Sequence, residues 1–361
     1  MERLLLLLPG PMQIPDEVAE AARRPLFFHR SQKFLDFQER LRTRMRPLLG
    51  TSSSEILFLS GPGTAAMESA VVNMTSPGEE ILVVAGGVFA ERWAKIGRAF
   101  GLNVRVSEVD WRLGATPDDV RAAMDRWPGA RVVFVTWSES STGVLIELDE
   151  IGRAVRERGK WLVADAVSGL AVSPLRMDDW NIDVVVAGSQ KGLMLPPGLA
   201  VVAVGARTWE KVSGAASPRF SLDWEPFRRR VPSTPALSLM HQLDAALDLI
   251  DAMGPGGVYQ RRRAVADRIR ALVTDCGLEI YAKRPGNGIT AVLAPEGVSA
   301  DQFRKRLEED YSILIAGGQG RLEGKILRIG HVGHLTDPEV DYFSDSFRKT
   351  LRASRSGMAT G

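Results

Sequence analysis

Two residues of opposite charge follow apolar segments in the middle of the 361-residue chain. Asp165 lies in the run WLVADAV at 161–167, where burial of a carboxylate is expensive without a cationic partner. Lys191 stands in GSQKGLMLPPG at 188–198, an apolar setting that lowers the pKa of an amine and favours its neutral, nucleophilic form. Taken singly, Asp165 is better interpreted as a helix cap or ion-pair partner, and Lys191 as a solvated side chain.

A glycine-rich turn adds a third chemical element. Gly61-Pro62-Gly63-Thr64 follows the apolar run 56–59 and opens a helical pattern, which matches part of a dinucleotide-binding fingerprint. A nicotinamide site also needs an acidic residue at the end of the next strand, but that strand, 81–85, ends in Ala-Gly-Gly. Two interpretations remain: a turn without a ligand, or a helix N-terminus whose Gly63 and Thr64 N–H groups and Thr64 hydroxyl bind a phosphate.

These elements fit one cofactor when they are combined. A phosphate site, a lysine able to form a Schiff base and an aspartate able to hold a pyridinium proton are the parts of a pyridoxal 5'-phosphate (PLP) site. The planar ring also needs a partner for its face, and Phe89, in the loop after the second strand, is a candidate. Considered alone, Phe89 is better explained as a core residue. The set therefore predicts PLP as the cofactor.

The elements that must position these residues alternate along the chain between about 55 and 204. Short apolar runs rich in β-branched residues are separated by amphipathic stretches, which predicts an α/β fold with a mostly parallel sheet and helices on both faces. The predicted strands cover 56–59, 81–85, 104–109, 132–137, 161–167, 183–189 and 199–204. Such sheets bind ligands at the carboxyl ends of their strands, close to where Asp165 and Lys191 stand.

A smaller α+β part follows. Its predicted helices cover 236–252 and 258–275, and its predicted strands cover 278–283, 288–295, 312–317 and 325–332. We expect four units along the chain: an N-terminal arm at 1–15 that packs on the small domain or a partner subunit, a large PLP-binding domain at 16–240, a small domain at 241–353 and a flexible tail at 354–361.

The composition is that of an ordinary globular protein. Hydrophobic residues make up 45% and charged residues 25%, which excludes disordered and fibrous classes. A net charge of +2 gives no electrostatic signature of nucleic-acid or acidic-membrane binding. The apolar run Leu4–Leu8 is too short to span a bilayer, the lone Cys276 excludes an intrachain disulfide, and the four scattered His indicate no metal site. We expect a cytoplasmic protein.

Five ordered motifs carry a resemblance that extends over essentially the whole chain. They are SGPGTAAMES (60–69), GGVFAERW (86–93), ESSTGVL (139–145), VADAVSGL (163–170) and GSQKGLMLPPG (188–198). Through these motifs the chain resembles the class V, fold-type I aminotransferases, specifically the alanine–glyoxylate and serine–pyruvate aminotransferase group. The interval between Asp165 and Lys191 also matches that group.

The resemblance implies a role for each matching position. Lys191 would form the Schiff base with PLP and move a proton between Cα and C4′, and Asp165 would pair with the pyridine nitrogen. Phe89 would stack on the ring, and Arg328 in KILRIG would bind the substrate α-carboxylate through a bidentate fork, although without the motif it is equally explained as a surface arginine. Further cofactor contacts would come from Gly63, Thr64, Ser140, Gln190 and, reaching the neighbouring subunit's phosphate, Arg230, Ser233 and Thr234.

The sequence departs from the family pattern at three places. Trp137-Ser138 stands where relatives often have His-Gly, which is expected to change the wall near the cofactor. Pro62 replaces a frequent serine and removes one N–H and one hydroxyl from the phosphate loop. Arg230 falls where some relatives have tyrosine, and its positive charge would compensate for the weakened loop.

The resemblance implies ping-pong transamination in a homodimer, with alanine or serine as amino donor and glyoxylate or pyruvate as acceptor. Within the same fold, transamination of 2-aminoethylphosphonate stays an alternative, because the arginines at 228–230 could bind a phosphonate. The same arginines and Arg219 could bind a second carboxylate of the substrate. Cysteine desulfuration is disfavoured because Cys276 resembles a small core residue. A non-catalytic structural relative is the alternative from another class, but it would be expected to lack Lys191.

Overall fold

The structure, a computed structural model, describes residues 4–229, 232–254 and 256–356. Its strands, in chain order, are β1 (Leu5–Leu7), β2 (Glu55–Ser60), β3 (Glu80–Ala85), β4 (Asn103–Glu108), β5 (Val132–Thr136), β6 (Ser138–Glu139), β7 (Val144–Leu145), β8 (Trp161–Asp165), β9 (Val184–Gly188), β10 (Leu199–Val204), β11 (Ile289–Leu293), β12 (Ile313–Gly317) and β13 (Ile326–Gly330).

The helices alternate with these strands over most of the chain. They are α1 (Asp16–Glu20), α2 (Gln32–Leu49), α3 (Gly63–Met74), α4 (Val88–Ala99), α5 (Pro117–Arg126), α6 (Leu148–Glu157), α7 (Thr208–Ser213), α8 (Trp224–Arg229), α9 (Leu237–Ala252), α10 (Gly257–Asp275), α11 (Ala300–Tyr311) and α12 (Asp337–Ser356). Single 3₁₀ turns cover Ala21–Arg23 and Gly320–Leu322.

A seven-stranded sheet of order β2-β10-β9-β8-β5-β3-β4 forms the centre of the molecule. The prediction of a mostly parallel sheet is confirmed, since β10 runs antiparallel to β2 and β9 while the other neighbours pair in parallel. Strands β5, β9 and β10 are buried along their whole length. Their apolar side chains project from both faces of the sheet, and both faces are therefore covered by helices.

Helices cover both faces of this sheet, as predicted. Residues of α3, α4, α7 and α8 pack into one apolar cluster with Leu57 and Leu59 of β2. Residues of α2, α5, α6 and α9 pack into the cluster on the other face with Ile56 and Phe58. This alternation along β2 is the period of two expected for a strand. The predicted domain boundary at 240/241 falls inside α9 and stays a prediction.

A second sheet of order β1-β12-β13-β11 forms the smaller α+β part. Strand β1 pairs in parallel with β12, and the apolar arm thus forms an edge of this sheet. The strand predicted at 278–283 is wrong, because only Ile280 forms a bridge, to Val292 of β11. The chain then leaves the sheet, since the Lys283 N–H donates to the carbonyl oxygen of Arg112 and the Leu145 N–H to that of Arg284.

One buried ion pair joins the central strands to the loop after β10. Asp183, 2% exposed, accepts hydrogen bonds from the Leu162 N–H at 2.8 Å and from Arg207 Nε and Nη2 at 2.5 and 2.8 Å. The Asp183 carboxylate thus accepts the hydrogen bonds of the Leu162 N–H and the Arg207 guanidinium in a place where water does not reach them. Removal of the carboxylate leaves a buried N–H and a guanidinium without their acceptor.

We therefore expect Asp183→Ala to lower the free energy of unfolding by about 3 kcal/mol, measured by urea denaturation. The matched control is Asp179→Ala, because Asp179 forms an exposed pair with Arg176 at 3.9 Å. That control should change stability by less than about 0.5 kcal/mol. An equal loss of unfolding free energy in the two variants would contradict the stabilising role of the buried Asp183 carboxylate.

Candidate active site

A cavity of about 300 Å³ lies at the carboxyl edge of the large sheet. The loops after β2, β3, β8 and β9 meet there because these four strands are parallel. Its walls are formed by Gly10, Pro11, Pro62, Gly63, Thr64, Met67, Phe89, Arg92, Ser138, Asp165, Val167, Ser168, Gln190, Lys191 and Pro197. Six of the sequence-predicted site residues are thus brought together: Gly63, Thr64, Phe89, Asp165, Gln190 and Lys191.

Lys191 is buried at the base of this cavity, with 8% of its surface exposed. It follows β9 by three residues, and its Nζ donates a hydrogen bond to the carbonyl oxygen of Pro9. Burial lowers the pKa of the Lys191 ammonium to about 8, and the charges of Arg328 and Arg92 act in the same direction while Asp165 opposes them. The sequence expectation of an amine with a lowered pKa therefore agrees with the geometry.

Asp165, the last residue of β8, lines the same cavity with 5% of its surface exposed. One carboxylate oxygen, Oδ1, accepts a hydrogen bond from the Val167 N–H at 2.8 Å. Burial raises the pKa of the Asp165 carboxyl to about 7, the hydrogen bond from Val167 lowers it, and the nearby charge of Glu139 raises it further. Such a carboxyl is ready to ionise as soon as a cation is placed beside it.

The first turn of α3 forms one end of the cavity. Within the described residues, nothing accepts a hydrogen bond from the Gly63 or Thr64 N–H, and both groups point out of the helix N-terminus as anion donors. A Cβ at Gly63 would lie 2.8 Å from Val167 Cγ2, so the close approach of the two loops requires glycine there. Arg92 Nη1 donates to Thr64 Oγ1 at 3.1 Å and adds positive charge at this end.

Phe89 presents its ring to the cavity from the first turn of α4. The Arg92 guanidinium lies 4.8 Å from the centre of that ring. Gln190 lines the cavity as well, and its buried Oε1 has no hydrogen-bond partner in the described structure. Ser140 stands one layer behind, because its Oγ is 2.6 Å from the Oγ of Ser168, and Ser168 is the residue that faces the cavity.

Arg328 does not line this cavity. It is buried in β13, where its Nε donates to the Gly317 carbonyl oxygen at 2.6 Å and its Nη1 donates to the Ser140 carbonyl oxygen at 2.9 Å. A guanidinium has five N–H donors, so three remain after these two bonds. The role of Arg328 in substrate binding stays a prediction.

Ser233 and Thr234 are exposed and do not line the cavity of their own chain. Arg230, the third residue predicted in this segment, lies outside the described residues. Of the other arginines considered for a second anionic group, Arg219 bonds to the Ala215 carbonyl oxygen at 2.9 Å, and Arg228 pairs with Glu55 at 2.8 Å. Neither belongs to the cavity lining.

The two residues at the Trp137-Ser138 departure lie in different places, one in the core and the other in the cavity wall. Trp137 is buried against Gly169, where a Cβ would approach its ring to 2.3 Å, and packs edge-on against Trp180. Ser138 is the residue of the pair that lines the cavity. Ser138 therefore faces the cavity while Trp137 fills space beneath the wall, and the effect of this departure on the cofactor stays a prediction.

Sequence reasoning missed three contributors to the site: Pro9, Arg92 and Glu139. Pro9 and Arg92 act through contacts with Lys191 and Thr64 that are distant in sequence. Glu139 binds the N-terminus of α4 through both carboxylate oxygens. The available signals were the motifs themselves, since Arg92 lies in GGVFAERW and Glu139 opens ESSTGVL.

The residues present fit PLP. The unpartnered Gln190 Oε1 and the free N–H groups of Gly63 and Thr64 are polar groups that need a ligand. Asp165 offers a carboxylate to a protonated ring nitrogen, and Lys191 offers an amine to an aldehyde. The volume of the cavity is within the range of small-molecule sites.

Comparisons with known proteins agree with this chemistry. The model of the class-V aminotransferases matches residues 16–342. Over 349 residues the chain is 35% identical to the soluble hydrogenase, small subunit, of Synechococcus sp. (strain PCC 6716), covering 94% of this chain and 90% of that one. It is 33% identical to L-aspartate–glyoxylate aminotransferase of Paracoccus denitrificans, covering 92% and 87%. Among solved structures, alanine–glyoxylate aminotransferase from Nostoc sp. has a TM-score of 0.93 at 27% identity, covering 97% and 96%.

The lowered pKa of Lys191 predicts how the PLP-free protein captures PLP. Below pH 8 the ammonium form has no free electron pair to attack an aldehyde, and above it the neutral amine predominates. We expect the capture rate, followed by absorption, to rise roughly tenfold per pH unit below this value and to level off above it. Nα-acetyl-lysine, which keeps a free side-chain amine, is the control with PLP, and its rate should increase up to about pH 10. If the rate of PLP capture by the protein rose with pH as far as that of the control, the lowered pKa of Lys191 would be contradicted.

Proposed function

The chain belongs to the class-V aminotransferase family, and from this premise we propose that it transfers an amino group from alanine or serine to glyoxylate or pyruvate, with PLP as cofactor. The two half-reactions share one site in a ping-pong order. The observation that carries the proposal is the burial of Lys191 and Asp165 in the walls of one cavity, next to the anion donors of α3.

Besides Lys191, five residues of this chain would hold PLP. Gly63 and Thr64 would bind the phosphate, Gln190 would bind a ring substituent or the phosphate, Phe89 would cover one face of the ring, and Asp165 would bind the ring nitrogen. When bound, PLP supplies an electron-accepting ring that stabilises the charge left at the substrate Cα after its proton departs. Ser140 would act through Ser168, given the 2.6 Å contact between the two hydroxyls.

Lys191 would first bind the cofactor covalently and then work as a base. Its pKa of about 8 leaves a useful fraction of neutral amine near neutral pH, the range in which a general base is most effective. Once free, the amine would take the proton from the substrate Cα and deliver it to C4′. The carbonyl oxygen of Pro9 would hold the amine in place between these positions.

Asp165 would keep a proton on the pyridine nitrogen. Its carboxyl has a pKa of about 7 because it is buried, and a cation beside it would lower that pKa. The Val167 N–H fixes Oδ1, which leaves Oδ2 for the ring nitrogen. The resulting charge-assisted hydrogen bond is stronger than one between neutral groups.

Arg328 would bind the substrate α-carboxylate through its three remaining N–H groups. Its bonds to the carbonyl oxygens of Gly317 and Ser140 fix the plane of the guanidinium, which lowers the entropy lost on substrate binding. A carboxylate would then meet a pre-oriented fork.

We propose a homodimer in which Ser233 and Thr234 reach the phosphate site of the partner. Two observations support this arrangement: both residues are exposed on their own chain, and Leu26 and Phe28 are each 66% exposed although large and apolar. Exposed apolar side chains of this size are typical of surfaces that bind another protein.

Cysteine desulfuration has no support from the structure. Cys276 is the C-cap residue of α10 and packs against the apolar cluster of the small sheet. It is not among the residues that line the cavity. The Synechococcus relative bears the name of a hydrogenase subunit, whereas the cavity of this chain holds the parts of an amino-transfer site. A phosphonate donor stays an alternative, since Arg92 adds a cation to the cavity.

The substrate proposal is tested by the absorption spectrum of the PLP-loaded protein. Addition of L-alanine or L-serine should convert the yellow form to the pyridoxamine form, and glyoxylate or pyruvate should restore it. L-aspartate and 2-aminoethylphosphonate complete the panel. Lys191→Ala is the matched control and should show no conversion. A PLP spectrum that none of the donors changes would contradict the proposal.

The dimer proposal is tested by sedimentation together with PLP titration. We expect the native protein to sediment with twice the mass of one chain, and Ser233→Ala combined with Thr234→Ala to weaken PLP binding by roughly tenfold without changing that mass. Ser238→Ala, exposed at the start of α9, is the control and should bind PLP normally. A monomer, or a double variant with native affinity, would overturn this arrangement.

A further inference from the structure

Glu139 is a buried carboxylate with no role in the chemistry described so far. Only 3% of its surface is exposed, and it ends the short strand β6. Oε2 accepts hydrogen bonds from the Phe89 and Ala90 N–H groups at 3.1 and 2.9 Å. Oε1 accepts from the N–H and the hydroxyl of Ser141 at 3.0 and 2.6 Å, and also from the Phe89 N–H at 3.3 Å. Both oxygens are therefore fully used.

This carboxylate replaces the local cap that α4 lacks. The N-cap residue of α4 is Gly87, which has no side chain to accept the first N–H groups of the helix. A Cβ at Gly87 would lie 2.3 Å from Glu139 Cγ and Cδ, so the glycine makes room for the carboxylate. A negative charge at a helix N-terminus is also favoured by the helix dipole.

The capped turn is the one that presents Phe89 to the cavity. Phe89 is the second residue of α4, and its own N–H is bound to Glu139. Ser141 strengthens the same turn, because its Oγ accepts a hydrogen bond from the Val88 N–H at 3.0 Å. The position of the ring thus follows from the position of the Glu139 carboxylate.

The residue after Glu139 connects the same segment to substrate binding. The Ser140 carbonyl oxygen accepts from Arg328 Nη1 at 2.9 Å, and the Ser140 hydroxyl contacts Ser168 in the cavity wall. The segment 139–141 therefore joins the ring-stacking residue to the predicted carboxylate-binding residue. Its anchor is the buried carboxylate, because that group makes the bonds to α4.

Resting on the proposed function, we propose that Glu139 is a positioning residue that holds the Phe89 ring in register with the cofactor by capping α4 from a distant strand. A carboxylate is needed rather than an amide. Every bond to it comes from a donor, and the NH₂ group of a glutamine would face N–H groups of α4 or Ser141 that cannot accept.

The test is Glu139→Gln, read by PLP affinity and by the circular dichroism of bound PLP, which reports how the ring is held. We expect PLP affinity to fall about tenfold and the dichroism per bound PLP to decrease, because the variant loses a charge-assisted contact and the ring becomes less fixed. Ser141→Ala, a milder change in the same cap, should shift both quantities in the same direction by a smaller factor. It serves also if Glu139→Gln does not fold.

Two further variants separate positioning from general stability. Asp119→Asn weakens the capping box that Asp119 forms with Thr116 at α5, and it should leave PLP affinity and dichroism unchanged. In a Phe89→Ala background, Glu139→Gln should cost less than twofold in affinity, since its effect passes through the ring.

Native affinity and dichroism in Glu139→Gln, or an undiminished loss in the Phe89→Ala background, would overturn the inference while the native protein still binds PLP. Failure of the native protein itself to bind PLP would instead overturn the proposed function.

Discussion

The burial of Lys191 and Asp165 in one cavity at the edge of the large sheet is the constraint on which the rest of the site depends. Each group alone would be expensive to remove from water, and burial shifts the pKa of both toward the neutral form. Parallel strands β8 and β9 bring the two residues together because both strands end at the same edge. The surrounding loops then supply polar contacts in place of water: Val167 for the carboxylate and Pro9 for the amine.

The elements around this pair are fixed by contacts between distant segments rather than by local sequence signals. Helix α5 is capped by its own Thr116 and Asp119, whereas α4, which presents Phe89, is capped by Glu139 from another strand. A local cap stabilises a helix wherever the helix lies. A distant cap also fixes where the helix lies, which is the property a cofactor site needs. The cost is a buried carboxylate, which the N–H groups of α4 and Ser141 offset.

The sequence predicted the sheet well because its strands are short apolar runs rich in β-branched residues, separated by amphipathic stretches of helical length. It failed at 278–283, where the β-type pattern is present but the backbone pairs with β11 only around Ile280 before the chain leads away to Arg112 and Leu145. Lys191 and Asp165 could be found because their types are unusual in apolar settings. The motif ESSTGVL contains Glu139 but does not show that its carboxylate bonds to α4, and the backbone carbonyl of Pro9 carries no side-chain signal for its contact with Lys191.

The N-terminal arm gives the site a connection between the two sheets that no motif indicated. Strand β1 pairs with β12 of the small sheet, and two residues later Pro9 accepts the hydrogen bond from Lys191.

A Cβ at Gly330, which ends β13, would lie 1.9 Å from the Leu8 carbonyl oxygen, so the glycine of KILRIG is needed for the arm to pass. Gly10, at φ +127°, has the same function on the other side, where a Cβ would approach Lys191 to 2.7 Å. Because the arm is held between β13 and Lys191, the strand that carries Arg328 and the lysine that would hold PLP keep a fixed spacing. The glycines that flank the arm are therefore part of the geometry that would place a substrate carboxylate relative to the cofactor.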